Sequence, residues 1–415
     1  MRITWTRTSY EQWMASFGPA AQPLNWAALA GFPDLLVRRN SDRDEWLVAA
    51  RSIQGPVFQR PGNDGAWVGH IAFDFPEALD RVQSRFPCGP LAASSWWEPE
   101  LLLMLRSGLL DVLMDKAVRP ASEVGTGLRA RPGASPTRMN SATWTPRTTK
   151  AEYLASIEKL LGHIQRGDIY EVNYCTERTA LLAGFDPFEA FGRLVERTNA
   201  PYAALYRCKD VFALCMSPEH FLRIDGRRVS TRPMKGTRPR SSDPVVDAAL
   251  VHELAQDPKE RSENIMAVDV ARHDLSRIAA PGSVTVEELC AVKSYPNVHQ
   301  LVSTVSAEMR PDVSAWDAVC SAFPMASMTG APKRSALGFI DAVEEVPRGL
   351  FSGSLGFQLP DGTLDLNVVI RTITYDASSG RASLITGSAI TAQSDPEREW
   401  EECELKARSV LDALF

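Results

Sequence analysis

Two Glu-x-x-Glu pairs, far apart in the chain, hold the residues best suited to chemistry. Glu260 and Glu263 lie in DPKERSENIMAVDVARHDL, and Glu399 and Glu402 in SDPEREWEECELKA. Residues three apart share one face of a helix, so each segment can present two carboxylates side by side. Four carboxylates in one cleft repel strongly unless a cation sits between them. An all-oxygen donor set suits a hard divalent ion, Mg2+ ahead of Zn2+. A lone pair of this kind usually marks a solvated helix face, so the rest of the chain has to decide.

Other segments carry single candidates. Lys235 stands in TRPMKGTRPR, where Pro233, Gly236 and Pro239 shape a loop after a strand. An amine nucleophile there must be partly deprotonated by burial or nearby cations; taken alone, the segment reads as a basic surface turn. Glu219 in MSPEHFL follows the apolar strand VFALCM. Desolvation at a strand end keeps a carboxyl protonated for general-acid work, although in isolation a plain turn carboxylate is the simpler reading. FPMASMTGAPKRSALGFIDAVEE puts small residues and Gly-Ala-Pro ahead of a helix. Helix N-terminal N–H groups bind anions, and Thr329 and Lys333 could add to that; ordinary capping is the alternative. Arg371 interrupts the apolar strand NVVIRTI and needs a partner, for which a ligand carboxylate held by the guanidinium fork is suited. His299 in NVHQLVST lies in a β-branched stretch, where a lone histidine is more often structural than catalytic.

The elements around these residues are legible in outline. The chain has 415 residues, 44% of them apolar, enough for a large core. A formal charge of -6 argues against nucleic acid as a main partner. No apolar run approaches the roughly 20 residues of a membrane helix, and MRITWTRTSYEQW lacks the apolar centre of a signal peptide. The seven scattered cysteines, with no CxxC, fit reduced thiols in a cytoplasmic protein. Residues 1–147 read as an N-terminal region integrated in the fold, with WVGHIAFDF as a strand and PELLLMLRSGLLDVLM as a strand or buried apolar segment. A Pro-, Gly-, Ser- and Arg-rich loop is expected at about 117–147. Residues 148–415 are more regular. Thr149 and Glu152 form a capping box for a helix with apolar residues from Tyr153 to Ile164, closed by Gly167. DIYEVNYCTERTAL is a strand, and Asp225-Gly226 is a hairpin turn. Residues 245–279 read as helical, and Pro332 fits the first turn of a helix running to about Glu345. LFSGSLGFQL and LDLNVVIRTITY form a second hairpin, and Ser394 or Asp395 caps the last helix. The hairpins demand antiparallel pairing, so the expectation is an α+β fold with large antiparallel sheets.

In this order, GDIYEVNYC, SPEHF, RPMKGTRPR, DPKERSENIMAVD, NVHQLVS, MTGAPK, RGLFSGSLGF, VVIRT and SDPEREWEE resemble the chorismate-utilising enzymes. Those are component I of aminodeoxychorismate synthase and of anthranilate synthase, with the isochorismate and salicylate synthases. The resemblance covers residues from about 148 to 412. It implies one large anthranilate-synthase-component-I-like fold: two facing antiparallel sheets, flanked by helices, with the active site in the cleft between them. It implies that 148–415 is the chorismate-binding catalytic region. Mg2+ is the implied cofactor, with Glu263 and Glu402 as ligands and Glu260 and Glu399 in support. Arg371, Thr329 and the backbone around Ser388 are implied to bind the enolpyruvyl carboxylate, and Lys406 to make a further carboxylate contact. His299 would lie near the ring, and Glu219 would protonate the departing C4 hydroxyl.

Lys235 separates the subfamilies: the aminodeoxychorismate synthases are similar in carrying Lys in P-x-K-G-T, where anthranilate and salicylate synthases usually have Ala. The implied reaction is chorismate amination through a Lys235 adduct at C2, with ammonia from a glutamine amidotransferase subunit; this chain has no Gly-x-Cys-x-Gly nucleophile of its own. Anthranilate synthesis, or a non-catalytic regulatory role, are the alternatives. Some positions depart from the family. Glu171 stands where Gln is usual, or Lys in the isochorismate and salicylate synthases. Phe351 replaces a frequent Tyr, Ala389 a frequent Gly, and His273 an Asn.

Overall fold

The computed structural model describes residues 29–51, 57–62, 64–82, 84–86, 90–106, 109–115 and 142–415. Most of the loop expected at about 117–147 lies outside these residues, as do the first 28. Seven helices are present among the described residues: α1 (Lys150–Arg166), α2 (Pro187–Thr198), α3 (Pro244–Gln256), α4 (Pro258–Ser276), α5 (Ala315–Ala322), α6 (Lys333–Val343) and α7 (Pro396–Leu414). None is long and apolar enough to cross a membrane.

Two sheets carry the rest, confirming the α+β expectation. The larger, of 11 strands, runs in the order Gly330–Ala331, Glu171–Leu181, Arg381–Thr391, Thr372–Asp376, Val211–Ser217, Tyr202–Cys208, Asp34–Asn40, Glu45–Arg51, Leu101–Arg106, Leu109–Asp115, with Thr145–Pro146 beside Glu171–Leu181. The smaller, of nine, runs Met234–Pro239, Val298–Glu308, Arg228–Thr231, His220–Asp225, Leu364–Val368, Ser354–Gln358, Trp67–Ile71, Ser94–Trp97, with Thr285–Ser294 beside Val298–Glu308. Pairing is antiparallel, as the hairpins require; the longest register runs from Glu171 opposite Thr391 to Leu181 opposite Arg381.

The sheets face each other. Leu36, Leu47, Ala204 and Ala213 of the larger pack with Val68, Trp97, Leu355 and Phe357 of the smaller in one buried cluster. Helices cover the outer faces. Phe188, Phe191 and Leu194 of α2 and Val410 and Leu414 of α7 pack on the larger sheet. Val268, Ala271 and Leu275 of α4 and Trp316 and Val319 of α5 pack on the smaller. The sheets are also tied by charge. Arg38 of the larger reaches Asp365 of the smaller at 2.5 Å, and His220 and Arg223 bond the same carboxylate at 3.0 and 2.7 Å. Burial alone would raise the Asp365 carboxyl, but Arg38, His220 and Arg223 outweigh it and hold it well below the usual range.

Local signals explain most boundaries. The capping box at Thr149 and Glu152 forms, and Gly167 closes α1 in the left-handed region at φ 81°. Asp395, rather than Ser394, caps α7. The helical stretch expected over 245–279 is two helices, because Asp257 turns extended and caps α4 while Pro258 has no N–H to continue α3. Pro332 is the N-cap of α6, one place earlier than expected. The apolar run after Pro99 is a hairpin, Leu101–Arg106 with Leu109–Asp115. LDLNVVIRTITY does not stay in one sheet: Leu364–Val368 belongs to the smaller and Thr372–Asp376 to the larger. The crossing falls at Arg371, a non-glycine residue at φ 51°. The six described cysteines are free thiols, in line with the reduced reading.

Replacing Asp365 with alanine strands Arg38 as a buried unpaired charge. The expected loss is about 3–5 kcal/mol, measured as a lower midpoint of denaturant unfolding with unchanged slope.

Candidate active site

A cavity of about 620 Å³ opens where the two sheets and helices α4 and α7 meet. Each wall has a local cause. Asp257 accepts from the N–H groups of Lys259 and Glu260, so α4 begins at the cavity and presents Glu260 and Glu263 on its first turns. Asp395 does the same for α7, which presents Glu402 and Lys406. Lys235 lies beside a register shift in the pairing of Met234–Pro239 with Val298–Glu308. Gly236 sits there at φ 76°, where an added Cβ would come within 3.0 Å of Glu260. This bulge lets the Lys235 strand run close against α4.

The cavity is crowded with charge. Lys235 donates to Glu171 at 2.7 Å, with both side chains nearly buried. Burial alone would lower the lysine, but Glu171, Glu263 and Glu219 outweigh it and hold the ammonium above the ordinary range. Burial raises Glu219 to about 7, only partly offset by Ser327 and Lys235. Burial likewise raises Glu263 to about 7 against the pull of Lys235 and Lys259. Glu402 is held below the usual range, because Lys406, at 2.5 Å, together with Lys259 and Lys235 overcomes its desolvation. Lys406 also donates to the Gly387 carbonyl at 2.7 Å. Arg371 lines the cavity, and its guanidinium makes no hydrogen bond or ion pair among the described residues.

Four sequence candidates stand elsewhere. His299 is a correction: it faces away from the cavity, bonded to Asp247 at 2.9 Å and Ser294 at 2.8 Å, while Val298 and Gln300 line it. Alternation along a strand permits nothing else. Thr329 is also off the wall; its hydroxyl donates to the Met325 carbonyl at 3.2 Å, and Ser327 and Met328 line the cavity instead. The Ser388 hydroxyl is fully buried against Tyr153 at 2.9 Å, and the flanking Gly387 and Ala389 reach the cavity. Glu399 is buried behind the wall, 3.4 Å from Lys259.

Three residues escaped the sequence reading. Gln300 is buried with an unpartnered amide oxygen, and its signal was its alternation with Val298. Asn173 lies on the wall two residues after Glu171, on the same face of the strand. Lys259 lies among the carboxylates, 3.7 Å from Glu263 and 3.4 Å from Glu399.

Among the described residues, no three acidic, histidine or cysteine side chains converge closely enough to hold an ion as they stand. The donor set nonetheless fits a hard cation. Glu263 Oε1 and Glu399 Oε2 are buried carboxylate oxygens with no hydrogen-bond partner, and the Lys259 ammonium lies beside both residues.

Residues 1–412 match the family described as chorismate binding enzyme. The chain belongs to that family. It is 38% identical over 283 residues to aminodeoxychorismate synthase component 1 of Salmonella typhimurium, covering 68% of this chain and 62% of that one. It is 44% identical over 263 residues to the aminodeoxychorismate synthase of Streptomyces griseus, covering 63% and 36%. It is 39% identical over 304 residues to anthranilate synthase component 1 of Haloferax volcanii, covering 72% and 57%. The aligned stretches thus span less than two thirds of each relative. Two solved structures share the fold. Anthranilate synthase component I of Streptococcus pneumoniae superposes with TM-score 0.73 at 22% identity, covering 92% of this chain and 91% of that one. The menaquinone-specific isochorismate synthase of Escherichia coli gives 0.77 at 20%, covering 94% and 90%.

The raised carboxyls set a pH dependence. Folded Glu219 and Glu263 hold a proton up to about pH 7, the unfolded chain only to about 4.5. Their contribution to the stability of the ligand-free protein is full below about pH 4.5 and lost as pH rises through about 7. Thermal melts across that window are expected to fall with pH in the native protein relative to the Glu219→Gln, Glu263→Gln double variant.

Proposed function

We propose that this chain aminates chorismate at C4, giving 4-amino-4-deoxychorismate. The observation that carries the reading is Lys235, an amine on the cavity wall whose only hydrogen-bond partner among the described residues is Glu171, with Glu219 on the same cavity. The amine of Lys235, once it has shed a proton, attacks C2; both conjugated ring double bonds shift by one position and the C4 hydroxyl leaves as water with the proton of Glu219. Ammonia then attacks C4, both double bonds shift back, and the C2–N bond to Lys235 breaks, the departing amine recovering a proton from the new C4 nitrogen. This divides one hard displacement into two. A carboxyl raised to about 7 is about half protonated at neutral pH, so it has a proton to give as a general acid.

Binding of the substrate dianion falls to the remaining charges. Glu263 and Glu402 would hold Mg2+, supported by Glu260 and Glu399. When bound, the ion supplies positive charge to the ring carboxylate. The free guanidinium of Arg371 takes the enolpyruvyl carboxylate with the backbone at Gly387 and Ala389, and Lys406 orients Glu402 through its 2.5 Å contact. Ammonia is expected from a glutamine amidotransferase subunit, a partner that the designation of the Salmonella relative as component 1 supports, in the cytoplasm.

The Haloferax relative supports a second reading, anthranilate synthesis. Purified protein given chorismate, Mg2+ and ammonium is expected to yield 4-amino-4-deoxychorismate by mass spectrometry. Lys235→Ala should abolish it, and Glu219→Gln should lower kcat by about 10²–10⁴-fold. Anthranilate and pyruvate as products would establish the second reading, and no turnover with any amine source would leave a binding relative.

A further inference from the structure

Lys235 presents a chemical difficulty for the proposed reaction. An amine attacks through its lone pair, and this one is stored as a buried ammonium among Glu171, Glu219 and Glu263. Its proton has to leave in the attacking step. Glu219 cannot take it, since that carboxyl is needed to give a proton to the leaving hydroxyl. Glu263 belongs to the carboxylate set facing α7. Among the described residues, Glu171 alone accepts a hydrogen bond from the Lys235 Nζ, at 2.7 Å.

Glu171 is built to stay there. It begins the strand Glu171–Leu181, paired on one side with Thr391 and on the other with Ala331. Gly330 closes that second pairing so tightly that an added Cβ would stand 2.1 Å from the Glu171 carbonyl. The side chain is nearly buried, bonded to the Lys235 Nζ, and is not among the residues that line the cavity.

We infer that Glu171 is the proton acceptor for Lys235. As the Nζ lone pair attacks C2, one ammonium proton passes along the existing hydrogen bond to Glu171 Oε1. When ammonia attacks C4 and the C2–N bond breaks, the released amine takes a proton from the new C4 nitrogen, and Glu171 returns its own to solvent or to Glu219, resetting the pair. A glutamine cannot do this, because its amide has no basic oxygen. The proposal rests on Lys235 being the nucleophile.

The test uses the full chain with Mg2+ and chorismate, first without ammonia. Intact-protein mass spectrometry is expected to show native protein gaining the mass of chorismate less one water. With Glu171→Gln the same adduct forms about 10²–10⁴-fold more slowly at pH 7, with the KM for chorismate little changed. Below about pH 6, where Glu219 keeps its proton, its rate should climb about tenfold per pH unit, because solvent must now remove the proton, whereas the native rate stays flat over that range. Glu171→Asp, which keeps a carboxylate, should retain the flat profile at a lower rate. A Glu171→Gln variant that matches the native rate and profile, or is slowed equally at every pH, overturns the assignment of Glu171 alone. No adduct on native protein under any condition overturns Lys235 as nucleophile, and this inference with it.

Discussion

Lys235 and Glu171 meet at 2.7 Å from different sheets: the lysine from the edge of the smaller, the glutamate from the larger. That buried pair ties the two sheets together beside the cavity. Breaking either half would leave an uncompensated buried charge, among the costliest defects a core can carry. The Arg38–Asp365 contact ties the sheets a second time, within the packed interior. Between them, the two links tie together the walls of the compartment that holds the charged side chains.

Charge in that compartment is arranged to be completed by ligands. Among the described residues, Glu263 and Glu399 each keep a buried oxygen without a hydrogen-bond partner, and Arg371 keeps a guanidinium without one at a left-handed backbone position where one strand leaves its sheet for the other. Such strain is sustained only where surrounding structure over-determines it. Lys259 neutralises part of the acidic wall in the ligand-free state. The proposed dianionic substrate and divalent cation would bring both signs at once, so their binding would relieve the carboxylate repulsion and the isolated guanidinium together.

The sequence revealed more of this than its periodicity alone would promise. The Glu-x-x-Glu spacing placed carboxylates on α4 and α7 because helical geometry is local, and capping chemistry at Thr149, Asp257 and Asp395 is local too. Lys235 and Glu219 were found by motif, and the structure brings them to one cavity. What stayed hidden depends on long-range pairing. The face of Val298–Glu308 that meets the cleft is set by its neighbours in the sheet, so His299 and Gln300 could not be told apart from the run NVHQLVST. The switch of strands at Arg371 follows from which sheet each half joins, and no residue type announces it. Glu171 was visible only as a departure from the family, and its contact with Lys235 spans 64 positions of sequence.

The central claim is that a covalent bond forms between Lys235 and the substrate ring. Native protein, quenched with acid after mixing with chorismate and Mg2+ in the absence of ammonia, can be digested and its peptides sequenced by tandem mass spectrometry. The adduct is expected on Lys235 and on no other lysine, and it should disappear when ammonium is added before the quench. Turnover to 4-amino-4-deoxychorismate with Lys235 unmodified at every quench time, or with the adduct on a different residue, would contradict the account.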